Sequence, residues 1–248
     1  MNIKSKKEID LMRHSGKILS KTLNQLKKEI KPGVCAKYLD DLAEKIIASS
    51  NAKPAFKGFN GYKYTICASL NNEVVHGLPL KNKFIKKNDI VSIDCGVNFN
   101  GYHTDAAFTL AVGEANEKTN LLIETTKQSL HNAIKIIKHK IPLIKVQKIV
   151  QNTIEKPGFS VIRSLSGHGI GKRLHEPPSI FNFVGKNSDI ILQKGMTFCL
   201  EPMSSMGRFD VQTKEDGWTI VTSDNSLSAH FEHTILVTEN GFEILTQW

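Results

Sequence analysis

Apolar residues recur at helical spacing near the start of the chain and at strand spacing through its middle. Ile9, Met12, Leu19, Leu23, Leu26 and Ile30 fall on one helical stripe. Ser5-Lys6-Lys7-Glu8 precedes the stripe as a capping box, and Pro32-Gly33 ends it. A second helix follows, with Leu39, Leu42, Ala43 and Ile46 inward. Two more are predicted. One is capped by Asn116 and carries Ile123, Leu130, Ile134 and Ile137; the other starts after Pro142 and carries Val146, Ile149, Val150 and Ile154. Strands are predicted over 65–70, 73–77, 196–201, 218–221 and 229–237, with 196–201 stopped by Pro202. Residues 51–64 read as an aromatic, Gly-rich loop, and 174–178, with Pro177-Pro178, as a rigid extended loop.

The strongest local pattern lies at 89–110. Asn100-Gly101 is the pair a type I′ hairpin turn demands, because both turn positions need positive φ. With that turn, Phe99 faces Tyr102, Val97 faces Thr104, Cys95 faces Ala106, Ile93 faces Phe108 and Val91 faces Leu110. That set is almost wholly apolar. The opposite face carries Asp94 and Asp105 as diagonal neighbours, roughly 7–8 Å apart at Cα. A one-residue slip would mix the two sets, so the register is well specified. Two acids held so close repel, and burial makes the repulsion worse. Either the face is solvated, or a hard divalent cation compensates both carboxylates.

Composition narrows the setting. At 248 residues and 40% hydrophobic content, the chain is long enough for a substantial core. No apolar run reaches the roughly 18 residues of a membrane span, and the N-terminus shows no apolar signal region. Cys35, Cys67, Cys95 and Cys199 are scattered without CxxC spacing, which suits reduced thiols and a cytoplasmic location. The net charge of +9 comes mostly from dispersed lysines. It reads as a solvated surface, or as attraction to an anionic partner such as RNA or a ribosome.

A faint repeat runs through the chain. Helix, Pro, helix, strand occurs twice. Lys87 is followed seven positions on by Asp94 at the end of an apolar run, and Lys194 is followed in the same way by Glu201. Asp105 and Glu232 each open a returning apolar strand. Each half thus offers two acids, and His168 lies between them in Gly167-His168-Gly169-Ile170-Gly171. Four carboxylates and an imidazole suit a pair of divalent ions sharing ligands. His168 alone is equally compatible with a structural role. His76 and His175 are candidates for hydrogen bonding to a substrate carbonyl or amide.

These motifs, read with Asn71 to Gly77, His175-Glu176-Pro177, Gly195 to Pro202 and Ser228 to Thr234, resemble the series found in type I methionine aminopeptidases. The resemblance runs from about Ile3 to the C-terminus. It implies the α+β pita-bread fold: one catalytic domain over 1–248, made of two pseudo-symmetric αβ halves (about 1–113 and 114–248) around a curved antiparallel sheet. It implies metal ligation by Asp94, Asp105, His168, Glu201 and Glu232, with Asp105 and Glu232 bridging. Glu201 would handle the proton of the attacking water, His76 would contact the scissile nitrogen, and His175 would stabilise the oxyanion. Cys67, Phe56, Phe59 and Trp218 would line the methionine pocket. Asn71, Glu73 and Ser228 would bind a monovalent cation through backbone or hydroxyl oxygen. Two divalent ions (Co, Mn, Fe, Zn or Ni) are implied, together with a monomer acting on the N-terminal Met of nascent peptides.

Three positions depart from the family pattern. Phe56-Lys57-Gly58-Phe59 stands where Tyr-His-Gly-Phe/Tyr is usual, Gly61-Tyr62 looks inserted, and Leu174 replaces an aromatic. They bear on the pocket rim. Two other readings compete: a proline-specific peptidase of the same fold, and a pita-bread protein without catalysis that binds RNA or protein.

Overall fold

The computed structural model describes residues 2–185 and 187–248. The first helix, Lys6–Glu29, opens with the expected box: Ser5 Oγ accepts from Glu8 N–H, and the Glu8 carboxylate accepts from Ser5 N–H at 2.8 Å. Met12, Leu19, Leu23 and Leu26 are buried along it. Gly16 is the point of closest approach to the C-terminal segment, since a Cβ there would run into the Leu245 carbonyl. Helices Ala36–Ser49, Glu117–Ile134 and Leu143–Glu155 follow as the pattern predicts, and Asn116 Oδ1 caps the third by accepting from Thr119 N–H at 2.8 Å.

The hairpin forms in the expected register. Strand Ile90–Phe99 pairs with Tyr102–Ala111 through Phe99↔Tyr102, Val97↔Thr104, Cys95↔Ala106, Ile93↔Phe108 and Val91↔Leu110. Asn100 and Gly101 turn it at φ +49° and +84°. Its apolar face packs with helix side chains such as Leu19, Leu23 and Leu130 into the main core. Ser15 of the first helix bonds to Val97 O and Thr104 Oγ1, both at 2.9 Å, which fixes that helix against the hairpin.

Among the described residues the hairpin belongs to a nine-stranded sheet. On one side Ile66–Leu70 pairs with Ile90–Phe99. On the other, Tyr102–Ala111 pairs with Glu232–Val237, which pairs with Thr197–Leu200; Gly167–Gly169 and then Glu176–Ile180 complete that flank. The seam where Glu232 faces Ala107 joins strands from the first and second parts of the sequence.

Three strand expectations need correction. Residues 229–237 are not one strand. Ser228–His230 pairs with Met203–Ser205 in a separate three-stranded sheet, and the chain crosses at Phe231, whose N–H bonds to Pro202 O. The stretch is apolar on both sides of the crossing, so no change of period marks it. The loop expected at 174–178 is in part a strand, Glu176–Ile180. Its prolines are tolerated because it is the outermost strand, where an N–H can go unpaired. The strand expected at 218–221 lies at Ile220–Thr222.

The N-terminal arm reaches this edge. Lys4 N–H bonds to Gly195 O, and Lys4 Nζ forms a buried ion pair with Glu176 Oε2 at 2.9 Å. Glu176 Oε1 in turn accepts from Arg173 N–H, so the segment carrying His175 is tied down from both ends.

Candidate active site

Strand parity explains which side chains meet. Asp94 lies opposite Cys67 on one side and Ala107 on the other, and Ala107 lies opposite Glu232. Thr234 lies opposite Cys199, and Gly169 opposite Phe198. Alternation therefore puts Cys67, Asp94, Asp105, Glu232, Thr234, Cys199 and His168 on one face of the sheet, with Glu201 two residues beyond Cys199. The other face is the apolar side packed by helices. The sheet is thus two-faced: helices cover one side, and the acids gather on the other.

The acids are deeply buried. Asp105 and Glu232 are only 3% and 2% exposed. Asp94 Oδ1, Asp105 Oδ1 and Glu232 Oε1 have no hydrogen-bond partner. Burial pushes the Asp105 carboxyl well above the usual carboxylate range, and Glu232, Asp94 and Glu201 add repulsion. Glu232 is raised by burial, then by Glu201 and Asp94. Glu201 is raised by burial and by Asp94, and Asp94 itself chiefly by burial. Uncompensated buried carboxyls of this kind are costly.

The imidazoles complement them. His168 Nδ1 must donate to Gly169 O at 2.9 Å, because a carbonyl only accepts. Its Nε2 lone pair is left free, 3.6 Å from Glu201 Oε1. Burial, with His175 nearby, lowers the His168 pKa to about 3, so the ring is neutral. His76 is brought down to about 4, by burial first and then by His230 and His175. It sits at φ +57°, a conformation costing roughly 1–3 kcal/mol in a non-glycine residue. His175 is also lowered by burial; its ring lies 4.2 Å from that of His168 and edge-on to Phe59 at 5.0 Å.

A cavity of about 520 Å³ opens on this cluster. Asp94, Asp105, His168, Glu201, Glu232, His76, His175, Phe56, Phe59, Cys67 and Trp218 all border it. Leu174 borders it too, in place of the aromatic. Asn71, Glu73 and Ser228 do not; they lie to one side. Ser228 N–H bonds to Asn71 O at 2.9 Å, Ser228 Oγ is buried without a partner, and the Glu73 carboxylate is held by Lys83 and Lys214. Any cation contact from Glu73 therefore comes from its backbone.

Three further neighbours carry no mark of their own in the sequence. Tyr62 borders the cavity, packs edge-on against Trp218 at 5.0 Å and donates its hydroxyl to Ile66 O. His230 is buried, with Nε2 unpartnered and 3.7 Å from Glu201 Oε2. Cys199 has its thiol inside the cluster. Its place two residues before Glu201 was a usable parity signal, hidden because the strand looked uniformly apolar.

Carboxylates and a neutral imidazole without internal partners fit divalent cations, which want those donors. The buried cluster, the adjoining cavity and the curled antiparallel sheet define a metallohydrolase of the pita-bread architecture. Residues 10–239 match metallopeptidase family M24. A methionine aminopeptidase of Clostridium perfringens (strain 13 / Type A) is 45% identical over 244 residues, with 98% of each chain covered. The crystal structure of a methionine aminopeptidase from Thermotoga maritima superposes with a TM-score of 0.98 at 48% identity, with 100% of both chains covered. The prolidase from Pyrococcus furiosus is more distant: TM-score 0.81 and 25% identity, covering 99% of this chain and 65% of the prolidase. The chain belongs to metallopeptidase family M24.

Proposed function

We propose that this methionine aminopeptidase removes the initiator methionine from nascent proteins when the second residue is small, using two divalent ions. The activity follows from the kinship with methionine aminopeptidases over nearly the full chain. The observation that supports the finer reading is an apolar, aromatic-walled cavity joined directly to the ligand cluster. Prolidase likeness is weaker in both identity and superposition, so proline specificity is not favoured. We read the chain as one catalytic domain of two related halves, about 1–113 and 114–248.

Asp94, Asp105, His168, Glu201 and Glu232 would hold the ions. Bound divalent ions supply Lewis-acid polarisation of the scissile carbonyl and an acidified water. The chain's own groups do the rest. Glu201 takes up the proton of the attacking water on a carboxylate oxygen and returns it to the leaving amine. His76, neutral, hydrogen-bonds the scissile nitrogen. His175, also neutral, donates to the developing oxyanion. Phe56, Phe59, Tyr62, Cys67 and Trp218 bury the methionine side chain. That burial is worth roughly 1.5–3 kcal/mol, and a thioether suits aromatic walls. Holding this group aligns the carbonyl with the cluster. Asn71, Glu73 and Ser228 would hold a monovalent cation through oxygen. Metal analysis of protein stripped and reloaded with Co, Mn, Fe, Zn or Ni reads the number of ions bound and which one supports turnover.

A panel of peptides varied at the first two residues tests specificity. Methionine ahead of Ala, Gly or Ser is expected to be released fastest. Norleucine should be released detectably, because a pocket discriminates such near-isosteres by only about 10–200-fold. Trp218→Ala should lower kcat/KM for methionine by roughly tenfold or more with metal content unchanged. Release of N-terminal Ala or Pro at a rate comparable to methionine would refute the reading.

The +9 charge supports salt-sensitive association of a monomer with ribosomes in the cytoplasm, where its substrates emerge. No helix among the described residues is long and apolar enough to cross a membrane. Co-sedimentation with ribosomes should be seen at low salt and fall steeply as salt rises. Absence at low salt would remove this partner.

A further inference from the structure

We propose that Cys199 is an additional, soft ligand of the metal centre, engaging thiophilic divalent ions beside Asp105, His168 and Glu232. The inference rests on the reading that these residues hold metal. One ligand atom from each of the four residues lies within 4.8 Å of every other. Bonds of about 2.0–2.3 Å place the ligands of a tetrahedral ion some 3–4 Å apart. The cluster is therefore only slightly wider than such a ligand set, and small side-chain rotations close it.

Two further observations point the same way. Asp105 Oδ1 and Glu232 Oε1 are buried and unpartnered within this cluster, so the thiol shares its space with orphaned donors. The thiol already faces its proposed co-ligand: it hydrogen-bonds the Glu232 carboxylate and lies 3.7 Å from Thr234 Oγ1, a hydroxyl that itself donates to Asp105 O at 2.8 Å and accepts from Asp105 N–H at 2.9 Å. A buried cysteine is ordinarily a small hydrophobe, and Cys95 is one: it packs in the helix-covered core on the other face of the sheet. Cys199 differs by facing the acids.

The consequence is ion-dependent coordination. A hard ion such as Mn²⁺ is served by carboxylate and imidazole alone. A thiophilic ion such as Cd²⁺ or Zn²⁺ recruits sulfur as well. The thiol loses its proton to solvent as the sulfur–metal bond forms, so each ion bound this way releases one more proton than Mn²⁺ does.

The test uses the full-length, metal-stripped protein titrated with Cd²⁺ while the ultraviolet sulfur-to-metal charge-transfer absorption is followed. Wild type, Cys67→Ser and Cys35→Ser are expected to show the band. Cys199→Ser and Cys199→Thr should lose it, and their Cd²⁺ affinity should fall by about 10-fold or more. Mn²⁺ affinity, measured by calorimetry on the same samples, should change by less than about twofold on that scale. A band that survives in both Cys199 variants, or that follows Cys67, overturns the proposal. Failure of wild type to bind Mn²⁺ overturns instead the ligand reading beneath it. Circular dichroism of the two variants separates loss of the ligand from loss of the fold.

Discussion

Glu201→Gln is expected to lower kcat by about 10²–10⁴-fold, the usual worth of a positioned proton acceptor, while making the metal-free protein more stable. The two effects have one cause. Glu201 stands at the end of strand Thr197–Leu200, with its backbone carbonyl fixed by Asn182 Nδ2 at 2.9 Å. Gln keeps that shape. It removes a buried acid whose pKa is raised by burial and by Asp94. It also offers an amide N–H toward the free His168 Nε2, 3.6 Å from Glu201 Oε1 in the native protein. Without metal, relief of the repulsion should be worth about 1 kcal/mol, or 2–4 °C in Tm for a chain of this length. With metal, the order reverses, because Gln is a poorer ligand and the stabilisation by mass action shrinks. Calorimetric scans of both proteins, with chelator and with saturating Mn²⁺, check this. Retained turnover, or a metal-free variant less stable than wild type, would remove Glu201 from the role given to it.

Much of this site is legible in the sequence. The Asn100-Gly101 turn and the clean alternation around it fixed one hairpin register, and with it the shared face of Asp94 and Asp105. Local signals of that kind carry their own geometry. The convergence of Glu201 and Glu232 on the same face depends on the seam between Tyr102–Ala111 and Glu232–Val237, a pairing between distant segments with no local marker. The repeat and the family likeness point to it; spacing does not. Phe231 shows the opposite case. An apolar stretch looked like one strand, and only tertiary packing reveals that Ser228–His230 and Glu232–Val237 belong to different sheets. Nothing in the local sequence marks Cys199 and His230, because a cysteine inside an apolar strand, and a histidine before a break, look like core. Their chemistry appears only when the acids are placed beside them.

Between pH 7 and 8 the metal-free protein is expected to lose stability as pH rises, and the gain from added Mn²⁺ is expected to grow over the same range. Asp94, Asp105, Glu201 and Glu232 all have folded-state pKa values above their ordinary ones. A group raised in this way gives stability that is complete below its unfolded pKa and is lost as pH climbs through the folded value. The native state then binds more protons than the unfolded chain, so the slope of unfolding free energy against pH is negative. His76 and His168 act in the opposite sense, being lowered to about 4 and about 3. Their contribution is lost as pH falls below the unfolded histidine value near 6.5, and it is nearly flat above pH 7. Buried thiols, also raised, enter only near pH 8.5 and beyond. His103, His131, His175, His230 and His233 are lowered too, chiefly by burial; from pH 7 to 8 the histidine contribution fades as the unfolded rings lose their protons, and the carboxyls set the sign of the slope. Divalent ions bind their ionised forms and release protons, so metal abolishes the loss instead of adding a constant increment. Urea unfolding at pH 7.0, 7.5 and 8.0, with chelator and with Mn²⁺, measures both slopes. A metal-free stability that rises across this range, or a metal increment that stays level, would mean that the four carboxyls are already ionised and compensated within the fold.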